Sequence, residues 1–136
     1  MAKVIALDIG GKRTGVAETD PLQMIASPRE TVNTDQLEQY VKDLISESPV
    51  ETIVLGEPIG LDGGDSDNSA RVREWQSKLK ESYPSISVVL QDERFSSKLA
   101  QRALVAGGVK KSKRREKGSL DKISAAIILQ DYLDQR

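Results

Sequence analysis

The chain has 136 residues, 30% of them charged, carries a formal net charge of −1 at pH 7, and contains neither cysteine nor histidine. Disulfides, thiolate or imidazole metal sites, cysteine nucleophiles and the Ser-His-Asp arrangement are thereby excluded, leaving carboxylates, lysine, hydroxyls or an oxygen-ligated metal for any catalysis. The length fits a single domain over residues 1–136, and with no signal peptide or long apolar segment a soluble cytoplasmic protein is expected, whose attraction for nucleic acid would have to be local.

The chain opens with Val4-Ile5-Ala6-Leu7-Asp8-Ile9, too short for a helix and rich enough in branched residues for a buried strand. Asp8 is the anomaly, because a charge in a core strand costs several kcal/mol unless something offsets it. Gly10-Gly11 reads as a hairpin turn at positive φ, which returns the chain through Val16-Ala17. Met24 to Val32 reads as a third strand, at an edge where Pro28 is tolerated. Thr34 or Asp35 can cap the helix that follows. In it Leu37, Val41, Leu44 and Ile45 recur at helical spacing to about Glu47, with Pro49 as a stop.

Thr52 to Gly56 is a second apolar strand. A loop rich in glycine and aspartate leads to a helix capped by Asn68 or Ser69, with Val72, Trp75 and Leu79 inward. Ile86 to Leu90 is another strand, ending in Asp92 and Glu93. Ser96 or Ser97 begins a helix with Leu99, Ala100, Ala103 and Leu104 inward, stopped by Gly107-Gly108. A basic loop from Lys110 to Lys117 precedes a last helix from Ser119, in which Leu120, Ile123, Ala126, Ile127 and Leu133 can cover a sheet. The order predicts an α/β fold: a mixed sheet of about five strands with helices on both faces.

Asp8, Glu93 and Asp121 are carboxylates at strand ends or near a helix start, where ligands gather in open α/β sheets. Asp121 is expected in the first turn of the last helix. Two such charges ~4 Å apart repel by about 4 kcal/mol at an effective dielectric of 20. Lysine pairing, protonation or a divalent cation can relieve this. Oxygen ligands alone select Mg²⁺ or Mn²⁺ over zinc, and a pair of such ions can activate water against a phosphodiester. The bland alternatives are a turn aspartate at position 8, a solvated ion pair of Asp92 or Glu93 with Arg94, and a helix-start preference at Asp121.

Asp8-Ile9-Gly10-Gly11-Lys12-Arg13-Thr14-Gly15-Val16-Ala17 resembles the opening motif of the YqgF/RuvX family, Holliday junction resolvase-like proteins with an RNase H-like fold. Val54-Leu55-Gly56-Glu57-Pro58 resembles its second motif, and Arg71-Val72-Arg73 lies in a helix matching the following one. Asp92-Glu93-Arg94-Phe95-Ser96-Ser97 matches its D-E-R-x-[ST]-[ST] segment. Ser119 to Gln130 is similar to its closing helix, with Ser124 where alanine is usual. The matches keep their order over essentially the whole chain. The resemblance implies a metal-dependent nuclease acting on structured nucleic acid. Family members have been proposed to resolve DNA junctions and to trim the 5′ end of the precursor of small-subunit ribosomal RNA. It carries the acidic site to Asp8, Glu93 and Asp121, with Asp92 less certain as a ligand. Where the family reads Gly-Leu-Pro this chain has Gly56-Glu57-Pro58. Glu57 could therefore add a fourth carboxylate, or pair with Lys12 or Arg13.

Lys110, Lys111, Lys113, Arg114, Arg115 and Lys117 form the one dense cationic run. Such a tract is by default a solvated loop. Placed before Asp121, it reads as a phosphate-binding arm, with Lys12, Arg13 and Arg94 holding phosphates closer to the carboxylates. Aromatic residues are scarce and none interleaves the basic ones, so recognition of backbone or shape is expected rather than base stacking. A nucleotide-binding kinase is a second reading, since the Asp-Ile-Gly-Gly turn also resembles the phosphate loop of actin-like sugar kinases. The chain is too short for their two lobes. A non-catalytic RNA-binding or ribosome-assembly factor is a third. RNA or branched DNA as partner, and a monomer or a homodimer, remain open.

Overall fold

The computed structural model describes residues 2–20, 22–57, 67–92 and 117–135, with the side chains of residues 57, 67–69, 92 and 117–121 outside that description. Five strands form one sheet: β1 (Lys3–Ile9), β2 (Arg13–Thr19), β3 (Ala26–Asn33), β4 (Val50–Glu57) and β5 (Ser87–Asp92). Their spatial order is β3-β2-β1-β4-β5. The first three pair antiparallel through short connections, whereas β1–β4 and β4–β5 are parallel. Parallel neighbours need crossovers, supplied here by α1 (Leu37–Glu47) and α2 (Asp67–Ser82). A third helix, α3 (Lys117–Gln135), ends the described chain.

The two-residue period of β1 separates two cores. Ile5, Leu7 and Ile9 join Leu37, Val41 and Leu44 of α1 and Val72 and Leu79 of α2 on one face. Val4 and Ala6 join Ala17, Val54 and the α3 residues Ala125, Ile128 and Leu129 on the other. Central strands with both faces covered explain the unbroken apolar runs at 4–7 and 52–55. The expected α/β architecture is therefore present.

Several local expectations change. β3 starts at Ala26 rather than Met24, because the backbone N–H groups of Met24 and Ile25 donate to the Asp20 carboxylate at 2.8 and 3.0 Å and are spent outside the ladder. Pro28 does sit in an edge strand, next to an irregularity in register between Val16 and Ala17 of β2. Neither Thr34 nor Asp35 caps α1, which is entered through a short 3-10 turn at Thr34–Gln36. On α3 the buried face is Ala125, Ile128 and Leu129, with Ala126 and Tyr132 packed beside them, whereas Ile123, Ile127 and Leu133 are half-exposed. The last helix also begins at Lys117, two residues before the expected start at Ser119, and α2 begins at Asp67, ahead of its expected caps. The helix expected after Ser96 lies outside the described residues.

Candidate active site

Because β1, β4 and β5 are parallel, all three finish on the same edge of the sheet. In register, Leu7 lies beside Leu55, Leu55 beside Leu90, and Glu57 beside Asp92. One residue beyond Leu7 and Leu55, Asp8 is level with Gly56 of β4, and on its other side its partner is Gly15 of β2. Asp8 thus lies between two glycines, with no side chain at its level on either neighbouring strand. By alternation it shares the face of Val4 and Ala6, the one α3 covers. It is half-buried rather than buried, so the desolvation cost expected of a core charge is only partly incurred.

The turn after Asp8 is held from several directions. The Gly10 N–H donates to the Arg13 carbonyl at 2.9 Å. A Cβ on Gly10 would stand 2.7 Å from that oxygen, so glycine is required here for close approach and not for the positive φ expected from sequence. The Thr34 hydroxyl donates to the Gly10 carbonyl at 2.7 Å, and the Thr14 hydroxyl lies 2.9 Å from the Thr34 oxygen. Since the single Thr34 proton is committed to Gly10, Thr14 donates to Thr34. The Thr34 N–H also donates to the Lys12 carbonyl at 2.9 Å. These bonds fix the carbonyls of the turn against the entrance to α1. Sequence reading missed Thr14 and Thr34 as supports, since nothing in composition announces that Thr14 is fully buried.

The turn also carries cations: Lys12 is exposed and Arg13 half-buried. Arg71, from α2, reaches the same turn. A Cβ built on Gly11 would lie 3.5, 3.6 and 3.8 Å from its Nη2, Cζ and Nη1.

The remaining candidates are reached only in part. Glu57 and Asp92 are neighbours in backbone register, but their side chains lie outside the description, as does any pairing of Glu57 with Lys12 or Arg13. Glu93, Arg94, Lys110, Lys111, Lys113, Arg114 and Arg115 lie outside the described residues. Asp121 is the fifth residue of α3, in its second turn rather than its first, because the helix begins at Lys117. Further along α3, Gln130 Oε1 accepts the Ala26 N–H at 3.4 Å. Ala26 pairs with Thr19, at the edge where β1 begins.

Among the described residues no three acidic side chains converge on a metal position. The donor chemistry of this edge still suits a small hard cation. Its only described carboxylate lies between glycines, positions 57 and 92 follow on adjacent strands, and the chain has no cysteine or histidine to offer instead.

Residues 2–135 match the family model described as "RuvX: Holliday junction resolvase". The chain belongs to the RuvX family. RuvX relatives include a Parabacteroides distasonis protein named "Putative pre-16S rRNA nuclease", 46% identical over 136 residues, covering 100% of this chain and 97% of that protein. A Porphyromonas gingivalis protein of the same name is 43% identical over 134 residues, covering 98% and 97%. Among solved structures, Thermus thermophilus RuvC in complex with a Holliday junction substrate aligns with a TM-score of 0.61, covering 99% of this chain and 96% of that one. At 16% identity that likeness speaks for the fold alone, which is RNase H-like as expected. No helix among the described residues is long and apolar enough to cross a membrane.

Proposed function

We propose that this RuvX-family chain is a Mg²⁺- or Mn²⁺-dependent nuclease that hydrolyses phosphodiester bonds in structured nucleic acid, with the 5′ end of the 16S ribosomal RNA precursor as its substrate. The observation that carries this reading is the setting of Asp8: a half-exposed carboxylate at the shared end of three parallel strands, with glycine on both sides. At that level neither neighbouring strand places a side chain beside the carboxylate. Asp8, Glu93 and Asp121 would hold the metal, and Glu57 is a further donor at the same edge. A bound divalent ion would supply an activated water and charge neutralisation at the phosphate. The chain's own part is to hold these carboxylates ionised and to bind the backbone. Lys12 and Arg13 from the turn, Arg94, and Lys110, Lys111, Lys113, Arg114 and Arg115 would take the flanking phosphates. Asp121 is included on the match of its helix to the closing motif of the family.

The choice of ribosomal RNA rests on the names of the close relatives. The family description favours DNA junctions as the second reading, and a symmetric resolvase would require a homodimer. The test is cleavage of a 5′-extended 16S precursor RNA and of a four-way DNA junction, each with and without Mg²⁺. Mg²⁺-dependent trimming of the RNA is expected. Cleavage of the junction alone would shift the substrate to DNA. Binding of RNA without cleavage under any metal would make the protein a non-catalytic assembly factor.

A further inference from the structure

We propose that Arg71 is a phosphate-contacting residue of this site, laid across the β1–β2 turn from α2; the inference rests on the nuclease reading above. Three observations support it. The first is the manner of approach: Nη2, Cζ and Nη1 lie at 3.5, 3.6 and 3.8 Å from the position of an absent Gly11 Cβ. Distances so nearly equal mean that the guanidinium presents its face, not an edge, to the backbone at position 11. A guanidinium seated on its face keeps its N–H donors in a plane parallel to the surface beneath, and with five donors it can hold one protein acceptor and a phosphate together. Glycine at position 11 makes this seat.

The second observation is location. Gly11 is three residues beyond Asp8, which sets an upper limit of about 11 Å between their Cα atoms. That is within the rise of roughly three base-pair steps along a duplex axis. Third, the charge is concentrated: Arg71 is half-buried and meets the turn that already carries Lys12 and Arg13. Residue 73 also bears an arginine, but two positions along a helix is about 200° of rotation, so Arg73 leaves α2 on the other side. Arg73 is accordingly exposed.

The experiment is a salt titration of binding without divalent metal. Fluorescence anisotropy of a labelled RNA stem with a 5′ single-stranded extension would be followed for the parent protein, Arg71→Gln, Arg71→Lys, Arg73→Gln and Gly11→Leu. Arg71→Gln is expected to weaken binding about 10-fold near 100 mM salt and to reduce the slope of log affinity against log salt by about 0.7–0.9, one phosphate contact. Arg71→Lys should keep the parent slope with weaker binding, since the charge remains and the fork is lost. Arg73→Gln should leave the slope unchanged. Gly11→Leu, at an exposed position, should displace the guanidinium and weaken binding without touching α2, and decides the matter if Arg71→Gln does not fold. Parent-like slope and affinity in Arg71→Gln or Gly11→Leu, or an equal loss in Arg73→Gln, overturns the assignment of Arg71 while leaving the nuclease reading intact. Absence of any salt-dependent binding by the parent protein overturns both.

Discussion

Gly10 and Gly11 are adjacent, alike in sequence, and unlike in what they do. At Gly10 the obstacle to a side chain is the Arg13 carbonyl, backbone that cannot move without opening the hairpin. Gly10→Ala is expected to lower stability by roughly 1–3 kcal/mol, the usual cost of forcing atoms into a packed site. Gly11→Ala would add a methyl at ordinary contact distance from the end of a flexible side chain, so its urea midpoint should stay within about 0.5 kcal/mol of the parent. Comparing the two midpoints tests the close-approach account against a positive-φ account, under which both should suffer. Thr34→Val removes the hydroxyl that donates to Gly10 and accepts from buried Thr14. Leaving Thr14 without that acceptor should cost about 1–3 kcal/mol in the same urea titration. If the turn also positions Asp8, the variant should lose cleavage rate even where it remains folded.

α3 is the element whose sequence was hardest to read. An apolar pattern all around the helix permits several faces, and Ile123, Ile127 and Leu133 matched helical spacing as well as Ala125, Ile128 and Leu129 do. Only packing against Val4, Ala6, Ala17 and Val54 selects the second set. Ile128→Ala should therefore cost about 2–5 kcal/mol, and Ile127→Ala much less, read as unfolding midpoints. The C-terminal end of α3 carries its own charge defect. Burial, and then repulsion from Asp134, hold the Asp131 carboxyl above its ordinary pKa, and no basic residue occupies the last turn. For an acid with a raised folded-state pKa, the penalty is full above that pKa and disappears as pH falls through it toward the unfolded value. Asp131→Asn should thus stabilise the protein at pH 7, by roughly a few tenths of a kcal/mol on the scale of a like-charged helix pair, and lose that advantage below about pH 4, near the ordinary carboxylate pKa. By contrast, β1 and β4 were legible as short unbroken apolar runs, the pattern of strands covered on both faces, and α1 as one helical stripe of Leu37, Val41 and Leu44.

At the scale of the whole molecule, the sheet topology sets where Asp8 stands. Asp8 looked costly when read as a core residue. The sheet order sets it near the end of a strand, beside its hairpin partner Gly15 and beside Gly56, and no reading of spacing could bring Gly56 there because β4 reaches β1 only through a crossover. Arg71 was equally hidden, being sixty residues from the turn it covers. The molecule's net charge of −1 hides a local concentration of cations, so substrate binding should fall by around 10³ between 50 and 200 mM salt if about six phosphates are engaged. The most direct measurement of the central claim is single-turnover cleavage of 5′-extended 16S precursor RNA in Mg²⁺ by Asp8→Asn beside the parent protein, with RNA affinity recorded for both. The predicted result is loss of cleavage with RNA binding and the unfolding transition retained; cleavage by Asp8→Asn at the parent rate would contradict the account.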